Sequence, residues 1–127
     1  MRAYTVATAA VTLRMPEKWL DNILSQNQID GVIRKRQGVA RRLTPKAVLT
    51  MEIAVRLARA LGATMPAALR LARELIEQGT DPARIEAGDG LSLILELRRT
   101  EANVMERLAH AVEIAPSPQR GRPRRKT

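Results

Sequence analysis

The side chains with chemical reach in this sequence are cations and uncharged hydrogen-bonding groups. Arg34-Lys35-Arg36 and Arg41-Arg42 flank a Gln37-Gly38 pair, and upstream Lys18, Asn22, Ser25 and Gln26 fall on one face of a helical projection, together with Glu17 and Asp21. Guanidinium and ammonium groups at this density suit phosphate oxygens, whereas amide and hydroxyl groups on a helix face suit base edges. The same face taken alone also fits an ordinary solvated surface. Other chemistries have little to work with. Cysteine is absent, which removes disulfides, thiol catalysis and thiolate metal sites together. The one histidine, His110, cannot form a histidine metal cluster within the chain and reads as a surface residue. Glu86 and Glu96 are the only suggestive carboxylates, and strand-edge charge accounts for them better than catalysis. No catalytic residue, metal or cofactor is expected, and the chain is not read as an enzyme.

Charge supports the same direction. The 127 residues hold 22 Lys and Arg against 13 Asp and Glu, a net +9, and the distribution is uneven. Residues 1–62 carry eleven basic and four acidic groups, residues 63–115 six and nine, and the last twelve residues five basic groups and no acid. A basic front, an acidic middle and a basic tail suggest a polyanion-binding unit joined to an assembly unit and a charged arm. Aromatics are limited to Tyr4 and Trp19. Single-strand and RNA modules depend on aromatic stacking, so duplex DNA is the favoured partner. No apolar run is long enough to span a bilayer and no basic-then-apolar leader follows Met1, so the expected location is cytoplasmic, at the bacterial nucleoid.

These groups need elements to hold them. Ala3 to Thr5 reads as a short extended segment, and Thr5 caps a helix with Val6, Ala9, Ala10 and Leu13 at helical spacing. Pro16 suits the first position of a second helix whose apolar stripe is Trp19, Leu20, Ile23 and Leu24. Val32 to Leu43 reads as a hairpin turning at Gln37-Gly38. Thr44-Pro45 starts a helix with Ala47, Val48, Met51, Ala54, Val55, Ala58 and Leu61 on its stripe, stopped by Gly62. Thr64 opens another, with Met65, Ala68, Leu69, Ala72, Leu75 and Ile76, ending at Gly79. After Asp81-Pro82, Arg84 to Ala87 and Leu91 to Leu97 read as strands about Gly88-Asp89-Gly90. A last helix is predicted from about Thr100 to Glu113, with Val104, Met105, Leu108, Ala109 and Val112 on one face.

Helix, turn, helix, basic hairpin, and a helix opened by Arg42-Leu43-Thr44-Pro45 resembles the winged helix-turn-helix DNA-binding domain of the MerR family and its excisionase-like relatives. Tyr4-Thr5-Val6 with Ala9-Ala10 is similar to the family's opening, and Leu61-Gly62-Ala63-Thr64-Met65 with Leu69 is similar to its junction between two helices. The likeness covers about residues 3–76. It implies that the Pro16 to Gln26 helix reads DNA, that Arg34, Lys35, Arg36, Arg41 and Arg42 are wing contacts, and that the Thr44-Pro45 helix buttresses the wing. Asp21, Asn22 and Ile23 stand where the family has an arginine and aromatics, so its base contacts do not carry over. The chain also lacks the long dimerisation helix and effector domain of those regulators, and no inducer or metal sensing is implied.

The expected fold class is mainly α with small β-hairpins: a winged helix-turn-helix over 1–79, a β-hairpin plus helix over 80–115 for dimerisation or partner binding, and a disordered basic tail over 116–127. Leu91, Leu93, Leu95 and Leu97 share one face of their predicted strand and Ile94 the other, which predicts a homodimer interface there; the alternative is a monomer in which the Thr64 to Gln78 helix covers that face. In the tail, Arg120-Gly121-Arg122-Pro123 resembles the core of an AT-hook, with Arg120 and Arg122 placed for a narrow minor groove, and a nonspecific phosphate-binding arm is the other reading. The leading expectation is a dimeric, sequence-preferring transcriptional repressor or autoregulator. The alternatives are an excisionase-like architectural factor, and an antitoxin or adaptor that binds a partner protein through residues 80–113.

Overall fold

The computed structural model of the chain describes residues 2–33 and 41–114. Its elements run β1 (Tyr4–Thr5), α1 (Val6–Leu13), α2 (Glu17–Gln26), β2 (Val32–Ile33), β3 (Arg42–Leu43), α3 (Pro45–Leu61), α4 (Met65–Glu77), β4 (Ala83–Gly88), β5 (Leu91–Leu95) and α5 (Leu97–Ile114). The fold is mainly α with small antiparallel sheets, one of three strands in the order β1-β3-β2 and one the β4-β5 hairpin.

Threonine starts three of the helices as its spacing predicts. The hydroxyl oxygens of Thr5, Thr44 and Thr64 accept from the backbone N–H groups of Thr8, Ala47 and Ala67, at 3.1, 3.3 and 3.4 Å. Each such cap satisfies an amide that the first helical turn leaves without a partner and is worth about 1 kcal/mol. Gly62 ends α3 at φ 68°, a left-handed conformation that costs glycine little.

α3 is the centre of the molecule. Ten of its residues are buried, on every side of its first three turns, because α1, α4 and α5 all lie against it. The predicted stripe is therefore too narrow: Leu49, Ile53 and Leu57 are also buried, while Leu61, at the helix end beyond those neighbours, is exposed. One apolar cluster runs from Tyr4 through α1, α2, α3 and α4 to Ala83, Val104 and Leu108, so α5 shares a core with the N-terminal elements.

Two features of the C-terminal part differ from the sequence reading. β5 ends at Leu95 and α5 begins at Leu97, three residues earlier than predicted, with the Arg98 N–H donating to Asp81 Oδ1 at 3.4 Å. A carboxylate at a helix N-terminus offsets both the unpaired amides and the helix dipole, and here it comes from 17 residues upstream. The buried face of α5 is also rotated: Thr100, Val104, Leu108 and Ala111 are inside, whereas Met105, Ala109 and Val112 are exposed. The rotation places Arg107 toward α1 and α3. Its Nη1 donates to the Thr12 carbonyl oxygen at 2.8 Å, and its Nη2 lies 2.9 Å from Glu52 Oε2, an ionic contact set off the hydrogen-bond direction. Glu52 is buried at 5% exposure and also accepts from Arg56 Nε at 2.7 Å.

Removing one partner of a buried ion pair leaves the other charge desolvated without compensation, commonly about 3 kcal/mol or more. Arg107→Ala is expected to lower unfolding stability by about 3 kcal/mol in urea titrations, and Arg107→Lys to recover only part of this, because an ammonium lacks the fork that spans the Thr12 carbonyl and the Glu52 carboxylate.

Candidate nucleic-acid interface

α2 carries the predicted reading face. Leu20 is fully buried and Leu24 nearly so, with Trp19 and Ile23 packed at the edge of the core, which fixes the rotation of the helix. Pro16 stands just before the helix as its N-cap, its carbonyl accepting from the Leu20 N–H at 3.1 Å, one position earlier than its predicted place inside the first turn. Glu17, Lys18, Asp21, Asn22, Ser25 and Gln26 consequently all face outward and are exposed. Ser25 Oγ donates to the Asn22 carbonyl at 2.8 Å, so its proton is spent within the helix. Among the described residues the side chains of Lys18, Asn22 and Gln26 make no hydrogen bond.

The strands beside α2 are short. β3 is the central strand: Arg42 stands opposite both Thr5 and Ile33, and Leu43, fully buried, opposite Tyr4 and Val32. Arg42 is half-buried there. Arg41, just before β3, donates from Nη1 to Asp21 Oδ1 on α2 at 3.1 Å. This contact joins the basic return strand to the polar face of α2 and offsets one of its cations. The helical spacing puts Asp21 on the face but gives no sign of Arg41 beside it, since a pairing across 20 residues has no local signature. Arg34, Lys35 and Arg36, the Gln37-Gly38 turn, and Arg120 and Arg122 in the tail lie outside the described residues.

Gly31 sets the junction between α2 and the strands. It adopts φ 91°, its carbonyl accepts from the Thr44 N–H at 2.9 Å, and a Cβ on it would collide with Thr44 Oγ1, the oxygen that caps α3. Gly31 is absent from the sequence expectations, although Asp30-Gly31 ahead of a β-compatible run is a recognisable turn signal.

The predicted interface leucines divide. Leu93 and Leu95 pack on the chain's own core from β5, and Leu97 does so from the first position of α5 and not from a strand; only Leu91 remains exposed, with Ile94 on the opposite face. The strand stops short of Leu97 because α5 is capped early by Asp81, which removes that residue from the predicted alternation. Glu86 pairs with Arg84 at 3.1 Å and Glu96 with Arg99 at 3.5 Å, both at the surface, and His110 is exposed on α5. Among the described residues no helix is long and apolar enough to cross a membrane.

No protein-family model matches this chain, and no curated protein matches it in sequence.

Gly31→Ala is expected to cost about 2 kcal/mol or more, combining the left-handed penalty for a residue with a Cβ and the loss of the α3 cap. Thr44→Ala removes the obstructing oxygen, so denaturant titrations of the double variant should show a loss smaller than the sum of the two single losses.

Proposed function

We propose that the chain is a sequence-preferring double-stranded DNA-binding regulator, a dimeric repressor or autoregulator in which α2 enters the major groove and the basic segment between β2 and β3 grips the flanking phosphates. The observation that carries this reading is the Arg41–Asp21 contact, which brings the return strand of a cation-rich segment against the exposed Lys18, Asn22 and Gln26 face of a helix anchored by Leu20 and Leu24. A rigid helix carrying amides and a strand carrying cations side by side divide the work as duplex recognition requires, with base edges read by one and the backbone held by the other. The element order also fits the winged helix-turn-helix of MerR-like and excisionase-like proteins.

Binding is expected to be strongly salt-dependent. Neutralising roughly 5 to 8 phosphates gives a slope of log K against log salt of about −4.5 to −7. Selection of preferred sites by the purified protein, followed by titrations at several salt concentrations, tests this; a slope near zero or equal affinity for every duplex refutes it. Arg34→Glu with Arg36→Glu should weaken all sequences alike, Asn22→Ala and Gln26→Ala should change which are preferred, and Asp21→Asn should strengthen binding to all by releasing Arg41. A bending assay on the selected site separates a repressor from an architectural factor.

The homodimer in this reading uses the C-terminal hairpin, where Ile94 on the face turned away from the core and Leu91 at the turn end of the strand, 62% and 61% exposed, are the apolar groups left for a second copy. Sedimentation at micromolar concentration should give a dimer for the parent chain and a folded monomer for Leu91→Glu with Ile94→Glu. A parent chain that sediments as a monomer, and co-purifies with another protein only while Leu91 and Ile94 are intact, would favour the antitoxin or adaptor reading.

A further inference from the structure

A cavity of about 380 Å³ opens between the end of α1, the second half of α3 and the middle of α5, with Arg14 in the turn that leads into α2. Four arginines line it, Arg14, Arg56, Arg59 and Arg107, against two carboxylates, Glu52 and Glu106. Arg56 and Arg107 are both committed to Glu52, at 2.7 and 2.9 Å. Arg14 and Arg59 have no carboxylate within ion-pair distance among the described residues; the Arg59 Nη2 lies 3.3 Å from the Met15 thioether sulfur, a weak acceptor for a guanidinium. The lining thus carries an excess of two positive charges, held by three helices that Arg107 joins through Glu52 and the Thr12 carbonyl. The volume is that of a small-molecule site, which typically falls between about 300 and 1,000 Å³.

We infer that this cavity binds a small dianion, a phosphate monoester or a dicarboxylate, with Arg14 and Arg59 as its principal ligands and the Glu52-bound Arg56 and Arg107 adding positive charge to the lining. Guanidinium groups present paired N–H donors that match the oxygen spacing of both anion types. Two cations left without carboxylates at the mouth of a polar cavity match a ligand of charge −2. Glu106 opposes binding, which gives the assignment a sign that a merely basic surface would not have.

The test is calorimetric and thermal-shift titration of the full chain with inorganic phosphate and, separately, succinate, at constant ionic strength set with sodium chloride. Saturable binding of either anion supports the inference, and the tighter of the two assigns the class. Arg14→Gly, which suits the φ of 58° at that position, combined with Arg59→Ala should weaken binding about tenfold or more, the loss expected for charge-assisted hydrogen bonds. Both side chains are exposed, so the double variant should keep the melting temperature of the free protein. Glu106→Gln, on an exposed turn of α5, should strengthen binding and decides the matter by its sign if the double variant is poorly folded. No saturable binding of either anion, a shift that sodium chloride reproduces, or unchanged affinity in these variants overturns the inference. Weakened DNA binding by the double variant without any anion binding to the free protein also overturns it and makes Arg14 and Arg59 backbone contacts.

Discussion

A carboxylate buried in the centre of the molecule sets the arrangement of everything around it. Glu52 lies on α3 at 5% exposure, and a charge so placed is tolerated only if cations reach it. Arg56 reaches it from the next turn of the same helix and Arg107 from α5. Because Arg107 also donates to the Thr12 carbonyl, one guanidinium fixes α5 against both α3 and α1. That choice decides which face of α5 is inward. Thr100, Val104, Leu108 and Ala111 follow Arg107 into the core, and Met105 and Val112 are turned out at 42% and 40% exposure.

The exposed face of α2 depends on this frame at one remove. α1 is held by α5 and by α3, and α2 packs on α1 and buries Leu20 and Leu24 in the shared core, so the polar side chains of α2 are presented by a helix with little freedom to rotate. On its other side, Gly31 brings the chain close enough to Thr44 for a backbone hydrogen bond beside the α3 cap. The start of the strands and the start of α3 are thereby one structural joint. A substitution there would disturb the strand pair and the central helix together.

Legibility in the sequence varied with the range of the interaction. Thr5, Thr44 and Thr64 were readable as helix starts because a cap involves residues three positions apart. The α2 stripe and the α4 stripe were readable because each helix buries a single face, so a period of 3.6 residues is visible. For α3 the same reading was too narrow, since a helix enclosed by three others buries residues on all sides and loses its period. Leu91, Leu93, Leu95 and Leu97 alternate like a strand, yet Asp81 caps a helix at Leu97 from across the fold and cuts the alternation short. No window of local sequence contains both partners of that contact.

The sequence by itself determined the class of the fold, the threonine caps of α1, α3 and α4, the glycine stop of α3, the outward set Lys18, Asn22, Ser25 and Gln26, and the concentration of positive charge in the first half of the chain. These depend on side-chain chemistry within a few residues of each other. Tertiary structure alone decided that Glu52 is buried and met by Arg107, that Arg41 is held by Asp21, that α5 turns Met105 outward, and that Arg14 and Arg59 share a cavity wall. Each of these joins residues far apart in the chain, and a charged residue is given no sign in its own neighbourhood of whether the fold will bring it a partner, a ligand or water.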